Sequence, residues 1–251
     1  MTNLLTGMMA AAGVSTSNYV GDPPSGFSAR WRADDVTLSG SIVTSWNDTS
    51  GNGYHLERWD TDYGPTYTGS DSNFNNNPSI KFGGDMGGSN FYNMKTASGV
   101  TMTTIFGAGG SAGPVTLAFV CKHDPTQSSF SYSQIVGDYY GDCDFKQDSD
   151  TQITGGSFNS PIGSGVKSGV YWQNKAGAGN QILQVSGQTA ATGAGASWSY
   201  DGYQMLIGGN NQASFYYFGW IAEIIIYPTY LSGGDITTLK NYIANSYTIT
   251  W

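Results

Sequence analysis

Gly219-Trp-Ile-Ala-Glu-Ile-Ile-Ile-Tyr227 is the stretch on which the fold turns. It is a short, almost wholly apolar run rich in β-branched residues, which reads as a central strand with both faces covered. A turn follows, and then Ser232-Gly-Gly-Asp-Ile-Thr-Thr-Leu-Lys-Asn-Tyr-Ile-Ala-Asn-Ser246, whose Ile236, Leu239 and Ile243 fall on one helical face. Ser232 is a natural N-cap, and Asp235 three residues on completes a weak capping box. This predicts a helix lying over the strands, with Tyr247–Trp251 returning as a closing strand. Glu223 interrupts the apolar strand and is costly there unless paired. Arg30 or Arg32, on another strand, is its expected partner, which makes the glutamate structural.

Upstream of this strand the pattern is one of short segments punctuated by Gly, Asn, Ser and Pro. Strands are expected at Ala29–Ala33, Ser41–Trp46, Ser79–Phe82, Val115–Lys122, Gln134–Val136, Gly169–Gln173, Gln181–Val185, Tyr203–Ile207 and Tyr216–Tyr227. Two polar stretches, about Glu57–Asn77 and Asp138–Ser168, read as loops or loosely paired edges. Composition agrees with an all-β chain. Of 251 residues only 11% are charged, against about 25% in an ordinary domain, and 36 are glycine. Sixteen of the 18 acidic residues are Asp, which suits loops better than helices. Aromatics at 14% argue for a folded chain rather than a disordered one.

Several function classes recede on the same grounds. A net charge of −8, with only Arg30 and Arg32 close together, offers no basic patch for nucleic acid. No run approaches the roughly 20 apolar residues of a membrane span. Two cysteines make no disulfide framework; Cys121, in an alternating apolar run, reads as a buried free thiol, with a bridge to Cys143 as the alternative. Residues 1–24 stand apart. Leu4, Leu5, Met8 and Met9 recur at helical spacing before Pro23-Pro24, but so short a helix must dock to persist. The segment lacks the basic start of a signal peptide and is expected to be retained, packed on its own domain or engaging another subunit as a docking arm.

Three blocks carry a family resemblance: Arg30-Trp-Arg-Ala-Asp-Asp-Val-Thr-Leu-Ser-Gly40 running into Trp46-Asn-Asp-Thr-Ser-Gly-Asn-Gly53; Pro78-Ser-Ile-Lys-Phe-Gly83 with Val115-Thr-Leu-Ala-Phe-Val120; and Gly219–Tyr227 with the helix ending at Tyr247. Together they resemble the concanavalin A-like (laminin-G-like jelly-roll) domains of bacteriophage virion proteins and bacterial surface proteins. The resemblance spans about residues 27–251. It implies an all-β, two-sheet antiparallel jelly-roll sandwich with one C-terminal helix and a short N-terminal helical or extended arm. The expected layout is a docking arm at 1–24 and one domain at 25–251.

The residues themselves limit the chemistry. With Glu57 and Glu223 as its only glutamates, the chain lacks the paired carboxylates of a retaining glucanase strand. Gly109-Gly-Ser-Ala-Gly113 fits a nucleophile elbow in letters, yet Pro114 and a strand follow where a helix is required. His55 and His123 are too few for zinc, and His123 reads as an exposed loop residue. Asp48 in Trp46–Gly53 reads first as a turn residue bonding backbone N–H groups. Calcium is the one metal the chain could hold: Asp138, Asp142, Asp144, Asp148 and Asp150 share one segment, although a solvated acidic loop is the plainer reading of them. No other cofactor is expected. For sugar binding, Trp59, Asp60, Asp62, Tyr63, Tyr67 and Asn75 place aromatic faces beside carboxylates and amides in one loop.

The expected function is therefore a non-enzymatic phage virion surface protein, a head decoration or a tail or fibre component, assembled in the host cytoplasm. Other virion proteins would be its partners through the arm, host-cell glycan its ligand, and a homo-oligomer its form. A stand-alone lectin module of a bacterial surface is the alternative, and a polysaccharide-degrading enzyme comes last.

Overall fold

The computed structural model describes residues 18–83, 92–107, 113–126, 133–138, 145–149, 152–155, 158–161, 165–175, 180–193, 202–209 and 216–251. In chain order the strands begin with β1 (Ala29–Ser39), β2 (Ile42–Asp48), β3 (Leu56–Arg58) and β4 (Thr66–Thr68). A 3-10 turn, Ser72–Phe74, precedes β5 (Ser79–Phe82), β6 (Met94–Thr96) and the short helix α1 (Met102–Phe106). Then come β7 (Val115–His123), β8 (Ser133–Asp138), β9 (Phe145–Ser149), β10 (Gln152–Gly155) and β11 (Phe158–Pro161). The chain finishes with β12 (Lys167–Lys175), β13 (Asn180–Val185), β14 (Ala191–Gly193), β15 (Met205–Ile207), β16 (Gly219–Tyr227) and helix α2 (Gly233–Tyr247).

The fold is all-β with one long C-terminal helix, and every strand pairs antiparallel. As expected, β16 is central: β1, β5 and β7 all pair with it. The pairing is one continuous path rather than two separate sheets. It also closes on itself, because β1 bonds β16 through Ala29–Arg32 and β2 mainly through Val36–Ser39, while β2, β4 and β5 lead back to β16. The register shift between Trp31 and Val36 separates the part of β1 that pairs with β16 from the part that pairs mainly with β2.

Alternation along the strands divides the interior in two. Ala29, Trp31 and Ala33 of β1, Leu117 and Phe119 of β7, and Val170 and Trp172 of β12 enter the large core with Val43, Trp46, Leu56 and Met94. The opposite faces of β7, β12 and β16 carry Ala118, Val120, Tyr171, Ala222 and Ile225, and Ile236, Leu239, Tyr242, Ile243 and Tyr247 of α2 cover them. The helix begins at Ser232, whose hydroxyl accepts the Asp235 N–H and donates to the Asp235 carboxylate. Close approach of helix and sheet needs Gly169, where a Cβ would lie 2.8 Å from the Trp251 ring and 2.9 Å from Ile243.

Several expectations are corrected. Tyr247–Trp251 forms no strand. Thr248 turns the chain at φ 54°, and Trp251 docks by its side chain on Tyr171 while its Nε1–H donates to the Lys240 carbonyl. The edges of β12 are already taken by β7 and β13, so no ladder is open to it there. The polar stretch after Asp138 holds the meander β9–β10–β11, and Asp138 itself is buried at the end of β8 rather than solvated in a loop. His123 is likewise buried, since β7 runs one residue further and alternation turns it inward. Cys121 is a buried free thiol. Residues 1–17, with Leu4, Leu5, Met8 and Met9, lie outside the described residues; the chain enters at Asn18, held by Asn77 and Asn75, and Val20, held by Ser246.

Candidate functional site

Strand β3 ends at Arg58, and the Trp59 N–H donates to the Asn93 carbonyl, so Trp59 stays anchored beside β6. Asp60 then turns the chain: its Oδ1 accepts the Asp62 N–H at 2.8 Å, an Asx turn. Leu56 and Met94 point into the large core, which sends Glu57 and Lys95, direct cross-strand neighbours, outward. The Lys95 ammonium lies 4.7 Å from the centre of the Trp59 ring. Beyond the turn, Tyr63 is exposed and its ring sits 5.7 Å from that of Tyr92. The result is a half-exposed indole, two phenol rings, two carboxylates and an ammonium at the end of a paired strand. A sugar needs just such apolar faces beside polar groups on a rigid support.

The structure brings together four of the six residues singled out for sugar, Trp59, Asp60, Asp62 and Tyr63, and separates the other two. Tyr67 on β4 packs against the large core. Asn75 adopts φ 59° and donates from its amide to the Ser246 carbonyl, fastening the 3-10 turn to the end of α2. Tyr92 and Lys95 were missed because they arrive from β6 and the residues just before it, some thirty residues downstream. Of the acidic residues named for calcium, Asp142 and Asp144 lie outside the described residues, and Asp148 falls within β9. Among the described residues no three His, Cys, Asp or Glu side chains cluster as a metal site would require.

Asp48 behaves as the sequence suggests. Its carboxylate accepts the backbone N–H groups of Arg30, Ser50 and Tyr54 and the Ser50 hydroxyl, pinning the turn to β1. Glu223 is also committed. It accepts Arg30 Nε at 2.8 Å and the hydroxyls of Tyr242 and Tyr247 at 2.8 Å each, while Arg30 Nη2 donates to Tyr242. A bulge makes this geometry. Between Ile221 and Glu223 the β16 register slips against β7, turning Ala222 and Glu223 both toward the helix. Burial pushes the Tyr242 and Tyr247 hydroxyls far above the ordinary phenol range, and the Glu223 charge adds to it. Burial works against the Arg30 charge, but Glu223 and Tyr242 outweigh it and raise that group further. At 1% exposure Glu223 is sealed from any substrate.

The sequence matches no protein-family model and no curated protein sequence. Solved structures share its fold. A Trypanosoma rangeli sialidase in complex with sialic acid superposes with a TM-score of 0.59 at 17% identity, over 90% of this chain and 34% of the sialidase. Domain 4 of AbnA, an extracellular arabinanase from Geobacillus stearothermophilus in complex with arabinotriose, gives 0.56 at 12% identity, over 85% of this chain and 98% of that domain. The binding domain of botulinum neurotoxin serotype G gives 0.52 at 12% identity, over 86% and 50%. The chain thus spans about a third of the sialidase's length. At these identities the likeness is one of fold.

Proposed function

We propose that the chain is a non-catalytic carbohydrate-binding β module, with the surface of Trp59, Asp60, Asp62, Tyr63, Tyr92 and Lys95 as its glycan site. The observation that carries the reading is the grouping of the exposed Tyr63 ring and the half-buried Trp59 and Tyr92 rings with carboxylates and an ammonium on a strand end fixed by β6. The superposable structures support it, two of them being described with a sugar bound. The burial of Glu223 in an ion pair supports a binding rather than a hydrolytic role. In its finer form we read the architecture as a two-sheet jelly roll. The large core, between the layer of β16, β7 and β12 and that of β2, β3, β6 and β15, supports this. The resemblance of the Arg30–Gly40, Trp46–Gly53 and Gly219–Tyr247 blocks supports display on a phage virion. There, residues 1–24 would be the attachment and a homo-oligomer would give weak sugar sites avidity.

Glycan-array and calorimetric binding with the whole chain tests the site, with and without calcium. Saturable binding that weakens about tenfold or more in Trp59→Ala and Tyr63→Ala is expected, the scale of a lost aromatic platform. Binding unchanged in both variants, or no binding by a folded sample, would overturn the reading. Release of reducing ends from a bound polysaccharide would overturn the non-catalytic part alone. Deleting residues 2–17, which spares the Asn18–Val20 contacts with the domain, is expected to leave it folded and to prevent incorporation into particles.

A further inference from the structure

A second surface lies on the helix-bearing face of the sheet, beyond the end of α2. Lys81 of β5 stands directly opposite Trp220 of β16, Trp220 opposite Lys122 of β7, and Lys122 opposite Lys167 of β12. Cross-strand partners share a face, so these four side chains form one row across four adjacent strands, about 14 Å from end to end. Two ammoniums flank the indole, Lys81 Nζ 4.7 Å and Lys122 Nζ 5.4 Å from its centroid. The row therefore takes three of the seven lysines in a chain whose net charge is −8.

Internal contacts account for only part of the row. Lys81 has Asp124 at 3.2 Å, and Lys122 donates to Asn73 Oδ1 at 2.7 Å. Lys167 has no hydrogen-bonding or ion-pair partner among the described residues. It sits half-buried against a like charge in direct register, an arrangement that destabilises a sheet. Burial lowers its proton affinity, opposed by the Asp71 charge. Lys167 is the ammonium left without such a partner among the described residues, and it gives the row charge to offer an external anion.

We infer that the Lys81–Trp220–Lys122–Lys167 row binds an acidic polysaccharide, its ammoniums taking successive carboxylates and the indole holding two of them in line. The length of the row suits a polymer with repeated charge better than a single small anion. A nucleic acid is disfavoured by the net negative charge and by the absence of arginine from the row. The inference stands on these residues and is independent of the Trp59 surface.

Affinity electrophoresis of the whole chain through polygalacturonate and through alginate, followed by calorimetry with polygalacturonate, tests it. The expected result is retardation that fades with salt and is absent with the fully methyl-esterified polymer. Lys122→Gln and Lys167→Gln should each weaken binding about tenfold, the scale of one charge-assisted hydrogen bond, and Trp220→Ala similarly. Lys167→Gln should melt no lower than the parent, because it removes a like-charge neighbour. Trp59→Ala should bind polygalacturonate normally, which separates failure here from failure of the other site. Retardation by neither polymer, binding indifferent to both lysine substitutions, or equal competition by polyphosphate or an oligonucleotide would each overturn the proposal. So would a lowered melting point for Lys167→Gln, which would mark that lysine as structural.

Discussion

Replacing Glu223 by Gln keeps the shape of the side chain and removes its charge, and the structure sets the cost. Arg30 is only 6% exposed, and its other carboxylate, Asp22, is 3.9 Å away at an exposed position. The variant therefore strands a buried guanidinium. It also turns an amide N–H₂ toward a site furnished with donors: Arg30 Nε, Tyr242 OH and Tyr247 OH. Breaking a buried pair by removing one member costs about 3–5 kcal/mol, whereas replacing both members by apolar residues is often close to neutral. For a domain of this size 1 kcal/mol shifts the melting temperature by about 2–4 °C, so Glu223→Gln should melt roughly 6–20 °C lower. The double variant Arg30→Met/Glu223→Leu should recover most of that loss. Urea denaturation followed by circular dichroism measures both. A single-variant loss below about 1 kcal/mol, or a double variant as unstable as the single, would refute the account of Glu223 as a charge whose cost is set by Arg30.

Other outcomes follow from local geometry. Burial pushes the Cys121 thiol up to about 12, so in a Cys143→Ser background an aromatic disulfide reagent at pH 8 should react only as fast as the protein unfolds. Gly208 has φ +81°, and an added Cβ would meet the Phe82 ring at 2.1 Å; Gly208→Ala should lose about 2–5 kcal/mol in a denaturant titration. Ser232→Ala removes the N-cap of α2 and should cost about 1 kcal/mol by the same measurement. Burial opposes the Asp124 charge, yet the Thr126 hydroxyl and N–H together with Lys81 outweigh it and hold the carboxyl below its ordinary value. A depressed folded value means stability present above the unfolded value of about 3.9 and lost as pH falls through the folded one, so Asp124→Asn should flatten that acid limb of a stability–pH profile.

Where the sequence was legible, a single physical demand was strong enough to be read locally. A glutamate inside an isoleucine run requires a cation. The alternation of Ala29, Trp31 and Ala33 puts both candidate arginines on one face. The choice between them was not legible, because it depends on a bulge. Register sets Arg32 directly opposite Glu223, but with Ala222 and Glu223 both turned to the helix it is the diagonal Arg30 that reaches the carboxylate. Arg32 instead lies over Tyr19 and beside Asp34. The meander β9–β11 escaped notice because polar residues fill most of its positions, leaving mainly Phe145, Ile153 and Phe158 to signal a strand. His123 was within reach: parity from Val115 onward places it on the core face, and only its Lys-His-Asp-Pro context suggested a loop. The Trp59 turn was half legible. Its rings and carboxylates are contiguous in sequence, but Tyr92 and Lys95 join them only through the β3–β6 pairing.

The lysine row was invisible for a similar reason, since its members come from four strands, and the way α2 ends explains why it is exposed at all. The fifteen residues of α2 reach about 22 Å, covering the sheet from Tyr227 to Tyr171 but not the far end of its face. Asn75 and Asn77 both donate to the Ser246 carbonyl, and they close the gap between the helix terminus and the 3-10 turn. Past that seam the sheet face must be polar, because nothing in the described chain covers it. This chain elsewhere makes its polar surface from Ser, Thr, Asn and Gly, with few charges. A seam bordered by Ser or Thr would have met the requirement at lower electrostatic cost than Lys122 facing Lys167. The departure from the chain's own habit, at the one place among the described residues where an indole lies between two ammoniums, is what a binding surface would require and a merely solvated one would not.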